Sequence, residues 1–93
     1  MKRKNVYKLI DNERDYQDSR WNTDNETRSG KSDILDQDKS LAEWLNYLEF
    51  HLGEAKHGVY ALEPKKTKES IRKIAALAVA CMEYNDCPPR KKK

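Results

Sequence analysis

Glu13, Arg14, Gln17 and Trp21 are the residues whose types and spacing point most directly to chemistry. On a helix of about 3.6 residues per turn, positions 10, 13, 14, 17 and 21 share one broad face, so these side chains meet on a common surface. Their chemistry is mixed. Trp21 offers an apolar platform, Arg14 a planar fork of donors that matches a carboxylate or phosphate, and Glu13 and Gln17 groups able to read a base edge or a peptide backbone. Continuing the apolar stripe of Val6 and Ile10 brings Glu13 and Gln17 inward. An unmet buried polar group costs about 1–3 kcal/mol, so such groups demand partners and can line a site. Arg72 and Lys73, far along the chain, supply cations that can converge on the same surface. The candidate ligand-binding set is therefore Glu13, Arg14, Gln17, Trp21, Arg72 and Lys73. Tyr7, Tyr16, Trp44 and Tyr47 are further surfaces on which a base could stack. Taken singly, a Trp beside an apolar seam is more often core, and basic residues near a helix start are more often solvated.

Other catalytic or metal chemistries find little support. Gly30-Lys31-Ser32 is like the end of a phosphate-binding loop, but Asn25 stands where the earlier glycine is needed and no strand precedes it. His51 and His57 are six apart, on opposite sides of a helix, with no nucleophile at a recognisable spacing; both read as structural. Cys81 and Cys87 match neither a zinc signature nor a redox pair and read as free thiols. No catalytic residue, metal site or cofactor is expected.

The elements that must position the candidate face are helices. Residues 5–21 have helical periodicity, with Asn5 as an N-cap candidate and Val6, Leu9, Ile10, Tyr16 and Trp21 recurring at helical spacing. Residues 22–39 lack apolar periodicity and read as a loop. Ser40-Leu41-Ala42-Glu43 is a capping box that opens a helix over 40–59. Leu41, Leu45, Leu48, Leu52, Ala55 and Val59 then alternate spacings of four and three, a seam suited to antiparallel packing, with Trp44, Tyr47 and His51 flanking it and Phe50 away from it. Gly58 and Pro64 bracket the end of that helix, and Thr67 can cap a third over 67–85, rich in alanine and therefore open to close approach. Pro88 and Pro89 stop it before a basic tail, 88–93. The expected fold is all-α: a single domain, 1–93, whose N-terminal helix packs on a long antiparallel hairpin, completed by oligomerisation because so short a chain buries a thin core.

Composition limits the partners. The net charge of +3 comes from the ends, Lys2-Arg3-Lys4 and Arg90-Lys91-Lys92-Lys93, whereas Asp11 to Asp38 holds nine carboxylates against four cations. A basic nucleic-acid-binding body is therefore not favoured. No apolar run is long enough to span a membrane and no signal-peptide pattern follows the basic start, so a cytoplasmic location is expected.

Glu13-Arg14-Asp15-Tyr16-Gln17-Asp18-Ser19-Arg20-Trp21, Glu43-Trp44-Leu45-Asn46-Tyr47, the run Arg72 to Glu83 (RKIAALAVACME) and Cys87-Pro88-Pro89-Arg90 resemble a group of short tailed-bacteriophage proteins. The likeness covers nearly the whole chain outside 22–39. More distantly, Glu13-Arg14-x-x-Gln17-x-x-x-Trp21 resembles the start of some phage relatives of the MazG-like all-α nucleoside-triphosphate pyrophosphohydrolases. Those enzymes hold magnesium with paired carboxylates, ExxE on one helix and ExxD on the next. Glu83-Tyr84-Asn85-Asp86 fits ExxD, but Glu43, Glu49 and Glu54 are six and five apart and form no ExxE. What the phage resemblance implies is a non-enzymatic accessory protein, in the host cell cytoplasm, that inhibits antiviral defence by binding a host protein or sequestering a nucleotide-derived signal. A pyrophosphohydrolase relative and a nucleic-acid-binding factor are the alternatives.

Overall fold

The computed structural model describes residues 1–21 and 36–91, with the backbone alone for Trp21. Three helices account for most of them: α1 (Arg3–Trp21), α2 (Leu41–Tyr60) and α3 (Pro64–Tyr84), with a short 3-10 turn at Asp36–Asp38. The described residues contain no strand, and the expected all-α architecture holds. α2 and α3 form the antiparallel hairpin, and α1 packs on α3.

Local chemistry explains the helix ends. At the start of α2 the Glu43 N–H donates to Ser40 Oγ at 3.2 Å and the Ser40 N–H donates to Glu43 Oε1 at 3.0 Å, the reciprocal pair of a capping box. The Ser40 backbone bond holds the Glu43 carboxyl below its ordinary pKa. α2 ends in a Schellman arrangement: the Glu63 N–H reaches Gly58 O at 2.8 Å and the Leu62 N–H reaches Val59 O at 3.2 Å. This turn places Leu62 at φ 58°, the left-handed region.

Two expected starts move upstream. Asn5 is not an N-cap: its N–H donates to Lys2 O at 3.0 Å, and Arg3 and Lys4, good helix formers, already belong to α1. Nor does Thr67 begin α3. Pro64 does, because its fixed φ suits the first helical position, where a missing N–H costs nothing. Thr67 instead donates its hydroxyl to Ala55 O at 3.2 Å, tying α3 to α2.

The hairpin seam is also corrected. α2 meets α3 through Trp44, Ala55 and Gly58, with Leu48 and His51 half-buried between them, one position out of phase with the leucine seam. Leu41, Leu45, Leu52 and Val59 remain exposed. Small residues decide the phase. A Cβ on Gly58 would collide with Thr67 Oγ1, so the helices approach more closely there than any leucine would allow. Trp44, expected beside the seam, is the largest fully buried side chain, and Tyr84 stacks against it at 6.3 Å between ring centroids. Phe50 lies outside the contact and is exposed, as its position on the wheel requires.

Candidate ligand-binding cavity

α1 buries polar residues where an amphipathic helix ordinarily buries apolar ones. Val6 and Leu9 are exposed, whereas Arg14 and Gln17 are only 4% and 6% exposed. Two ion pairs fasten this face to α3. Arg72 Nε donates to Glu13 Oε1 at 2.9 Å, and Arg14 Nη2 donates to Glu83 Oε2 while also lying 3.0 Å from Asp18 Oδ1. These pairs lie toward opposite ends of α3, and Ala76 and Ala80 between them are fully buried, small enough to let α1 settle.

Beside this contact is a cavity of about 270 Å³. α1 lines it with Glu13, Tyr16, Gln17 and Arg20, α2 with Tyr47 and His51, α3 with Lys73 and Leu77, and the segment before α2 with Asp36 and Lys39. Gln17 lines it, with its Oε1 buried behind the wall and without a hydrogen-bond partner. Glu13 is held by Arg72 at one oxygen. Lys73, half-buried, makes no hydrogen bond or ion pair with the described residues. Lys39 is occupied: its Nζ lies 2.6 Å from Asp36 Oδ1 and 4.7 Å from the ring centroids of both Trp44 and Tyr47. A wall that carries an amide, two tyrosine rings and an ammonium without a described partner suits a small polar ligand with an anionic group. The volume falls just below the range of ligand pockets, which starts at about 300 Å³.

Of the six candidate residues, Glu13, Gln17 and Lys73 line the cavity. Arg14 and Arg72 do not; they lock α1 to α3, and Arg72 is exposed. Burial by itself would lower the Arg14 pKa, but the bonds from Glu83 and Asp18 outweigh it and hold the pKa above its ordinary value. Arg14 Nε and Nη1 are buried without partners, so its charge is met on one side only. Burial likewise pushes the Tyr84 phenol upward, helped by Asp18 and Asp36. The Trp21 side chain lies outside the described residues. Tyr16 and Tyr47, named as stacking candidates, flank the cavity, whereas Tyr7 is exposed elsewhere. His51, read as structural, also lines it, with Nδ1 bonded to Glu54 Oε1 at 2.7 Å. Asp36 and Lys39 escaped the sequence reading because they fall in a stretch with no periodicity. Their only available signal was proximity to the Ser40 cap.

Glu83 of the ExxD pattern is engaged by Arg14, and no cluster of three or more His, Cys, Asp or Glu that could hold a metal occurs among the described residues. No helix among them is long and apolar enough to cross a membrane. No protein-family model, curated protein or solved structure matches the chain.

Proposed function

We propose that this chain is a non-enzymatic binding protein that captures a small nucleotide-derived ligand in the cavity between α1, α2 and α3. The observation that carries the reading is the cavity itself, which brings the Gln17 amide of α1, the Lys73 ammonium of α3 and the Tyr16 and Tyr47 rings together. The Gln17 oxygen is buried and unmet, which costs stability, and its amide nitrogen is left to donate to a ligand. Lys73 on the opposing helix supplies the counter-charge for a phosphate, and Tyr16 and Tyr47 supply ring faces. With the phage resemblance, the cellular role is sequestration of a nucleotide signal of host antiviral defence, in the host cytoplasm. The exposed leucines of α2 serve a second copy of the chain, making the working form an oligomer.

Thermal denaturation with a nucleotide panel tests the binding. A ligand at 100 times its Kd adds about 2.7 kcal/mol, which raises the melting temperature of a domain this size by roughly 10 °C or more. Expression of the chain in a host with a nucleotide-signalled defence should restore phage plaques, and Gln17→Leu should not. The absence of any nucleotide-dependent shift, or a Gln17→Leu variant that protects as well as the parent, overturns the proposal.

A further inference from the structure

Resting on the oligomer read above, we propose that each copy lends the first turns of α1 to its partner, where they seat in a groove between α2 and α3 lined by Glu49, Phe50, Gly53 and Glu69. Every residue from Met1 to Leu9 is exposed, and the ion pairs that fasten α1 to α3 begin at Glu13. The start of α1 is an arm. A free helix shorter than about 12–15 residues is marginal in water, so about two turns without tertiary support gain from a partner. Charge adds to the need. Arg3 and Lys4 stand at the positive end of the helix dipole, the first turn holds no acidic residue, and Lys2 and Lys8 lie close by in the chain. Val6 and Leu9, three apart, share one exposed side of the same arm. It therefore offers an apolar strip with basic borders.

The groove is open, about 850 Å³, and presents the complement. Phe50 on its wall is exposed, and Glu49 and Glu69, one from each helix, make no ion pair with the described residues. Other charges along it are engaged: Glu54 bonds His51, and Lys66 Nζ lies 3.0 Å from Glu63 Oε2. Lys73, which also lines the smaller cavity, is taken by the anionic group of the ligand in the proposed function. Gly53 is an independent sign of a partner. A Cβ there would meet nothing within 4 Å and its φ is not positive, so neither packing nor backbone within the chain calls for glycine. Glycine inside a helix costs stability relative to alanine, and close approach by a second helix is a use that offsets the cost. Leu45, Glu49 and Gly53 follow at spacings of four, which makes the groove continuous with the leucine flank, so one partner copy reaches both. Two turns of helix fall far short of the about 1,200 Å² of a stable interface, so the arm adds to the leucine contact and does not replace it.

Sedimentation equilibrium on the full chain gives the dissociation constant of the dimer. Reversing the arm with Arg3→Glu and Lys4→Glu, or the groove with Glu49→Lys and Glu69→Lys, should raise that constant at least about tenfold, a difference of about 1.4 kcal/mol. Mixing the two variants should bring it back toward the parent value, because each arm then faces a groove of opposite charge. Gly53→Ala should also weaken the dimer, yet in a Leu45→Glu background, where single chains are expected, it should raise the melting temperature by a few degrees. Arg90→Glu with Lys91→Glu should leave the dimer unchanged; if this reversal weakens it and the arm reversal does not, the groove takes the basic tail and the arm assignment falls. Circular dichroism melts check that each variant folds. An arm reversal without effect, or a mixture that associates no better than its two components alone, overturns the exchange and leaves the leucine oligomer standing. A parent that is monomeric at every concentration overturns both.

Discussion

The two flanks of the α2–α3 hairpin are covered in opposite senses to what their residues suggest. On one flank α1 lies over α3, and the groups it buries there are charged or polar: Arg14, Gln17 and most of Glu13. No described element covers the other flank. There Leu41, Leu45, Leu52 and Val59 of α2, with Ile71 and Met82 of α3, are each about half exposed or more. Burying polar groups and exposing apolar ones costs stability on both counts, so stability alone does not account for the arrangement. Under the proposed function the polar flank is the wall of a ligand site and the apolar flank is surface that a second copy covers.

The sharpest division lies inside the polar flank, between Arg14, which locks α1 in place, and Gln17, which faces the cavity. Arg14→Ala removes a buried side chain together with its ion pairs to Glu83 and Asp18. Because both carboxylates are about half exposed, the loss is smaller than for a wholly buried pair, about 2–3 kcal/mol, or a fall of roughly 10 °C or more in melting temperature. Gln17→Leu replaces an unmet polar group by an apolar one of similar size and should change stability by less than about 1 kcal/mol in either direction. Thermal melts of the two variants side by side check this. Equal losses would mean that the whole face is scaffold.

The apolar flank is tested by charge. Leu45 is 62% exposed, so Leu45→Glu should leave the helix content of the isolated chain unchanged, within about 0.5 kcal/mol of the parent stability. In the proposed oligomer the same change sets a carboxylate in an apolar interface. Light scattering should then show a parent of at least twice 10.9 kDa and a variant at the mass of one chain. A monodisperse parent monomer at micromolar concentration would remove the oligomer, and unchanged nucleotide binding by the variant would show that the flanks work separately.

The sequence carried the helical class, the Ser40–Glu43 box and the inward turn of Gln17, because each depends on local spacing or on residues within one turn. What it concealed depends on which surfaces meet. Leu41-Leu45-Leu48-Leu52 is the stronger apolar repeat, yet Gly58 allows the closer approach, so the hairpin closes through Trp44, His51 and Gly58, one position away from Leu45, Leu52 and Val59. The same reason hid the division of labour on α1. Arg14 and Gln17 are equally polar and three residues apart, and only the position of Glu83, 69 residues from Arg14, makes one a lock and the other a lining residue. Lys39 was hidden for a further reason: its place between Trp44 and Tyr47 follows from the short turn at Asp36–Asp38, which has no apolar pattern to announce it.

The smallest functional effect is expected at the closed end of the hairpin, where neither flank is involved. Leu62 sits at φ 58° with its side chain 86% exposed, so it contributes almost no burial to offset the strain of a left-handed backbone. A residue with a Cβ in that region carries a cost of about 1–2 kcal/mol that glycine avoids, while glycine gains backbone freedom in the unfolded chain. The two terms oppose, and the first is the larger at a position whose native φ glycine prefers. Leu62→Gly should therefore stabilise the protein by about 0.5–1 kcal/mol, a rise of a few degrees in melting temperature. The two hydrogen bonds of the turn, Glu63 N–H to Gly58 O and Leu62 N–H to Val59 O, use backbone atoms alone and survive the change. Because the site is remote from both Gln17 and Leu45, nucleotide affinity and oligomeric mass should stay at their parent values. A melting temperature below that of the parent would mean that the exposed Leu62 side chain is itself held by a contact, and the apolar flank would then extend around the end of the hairpin.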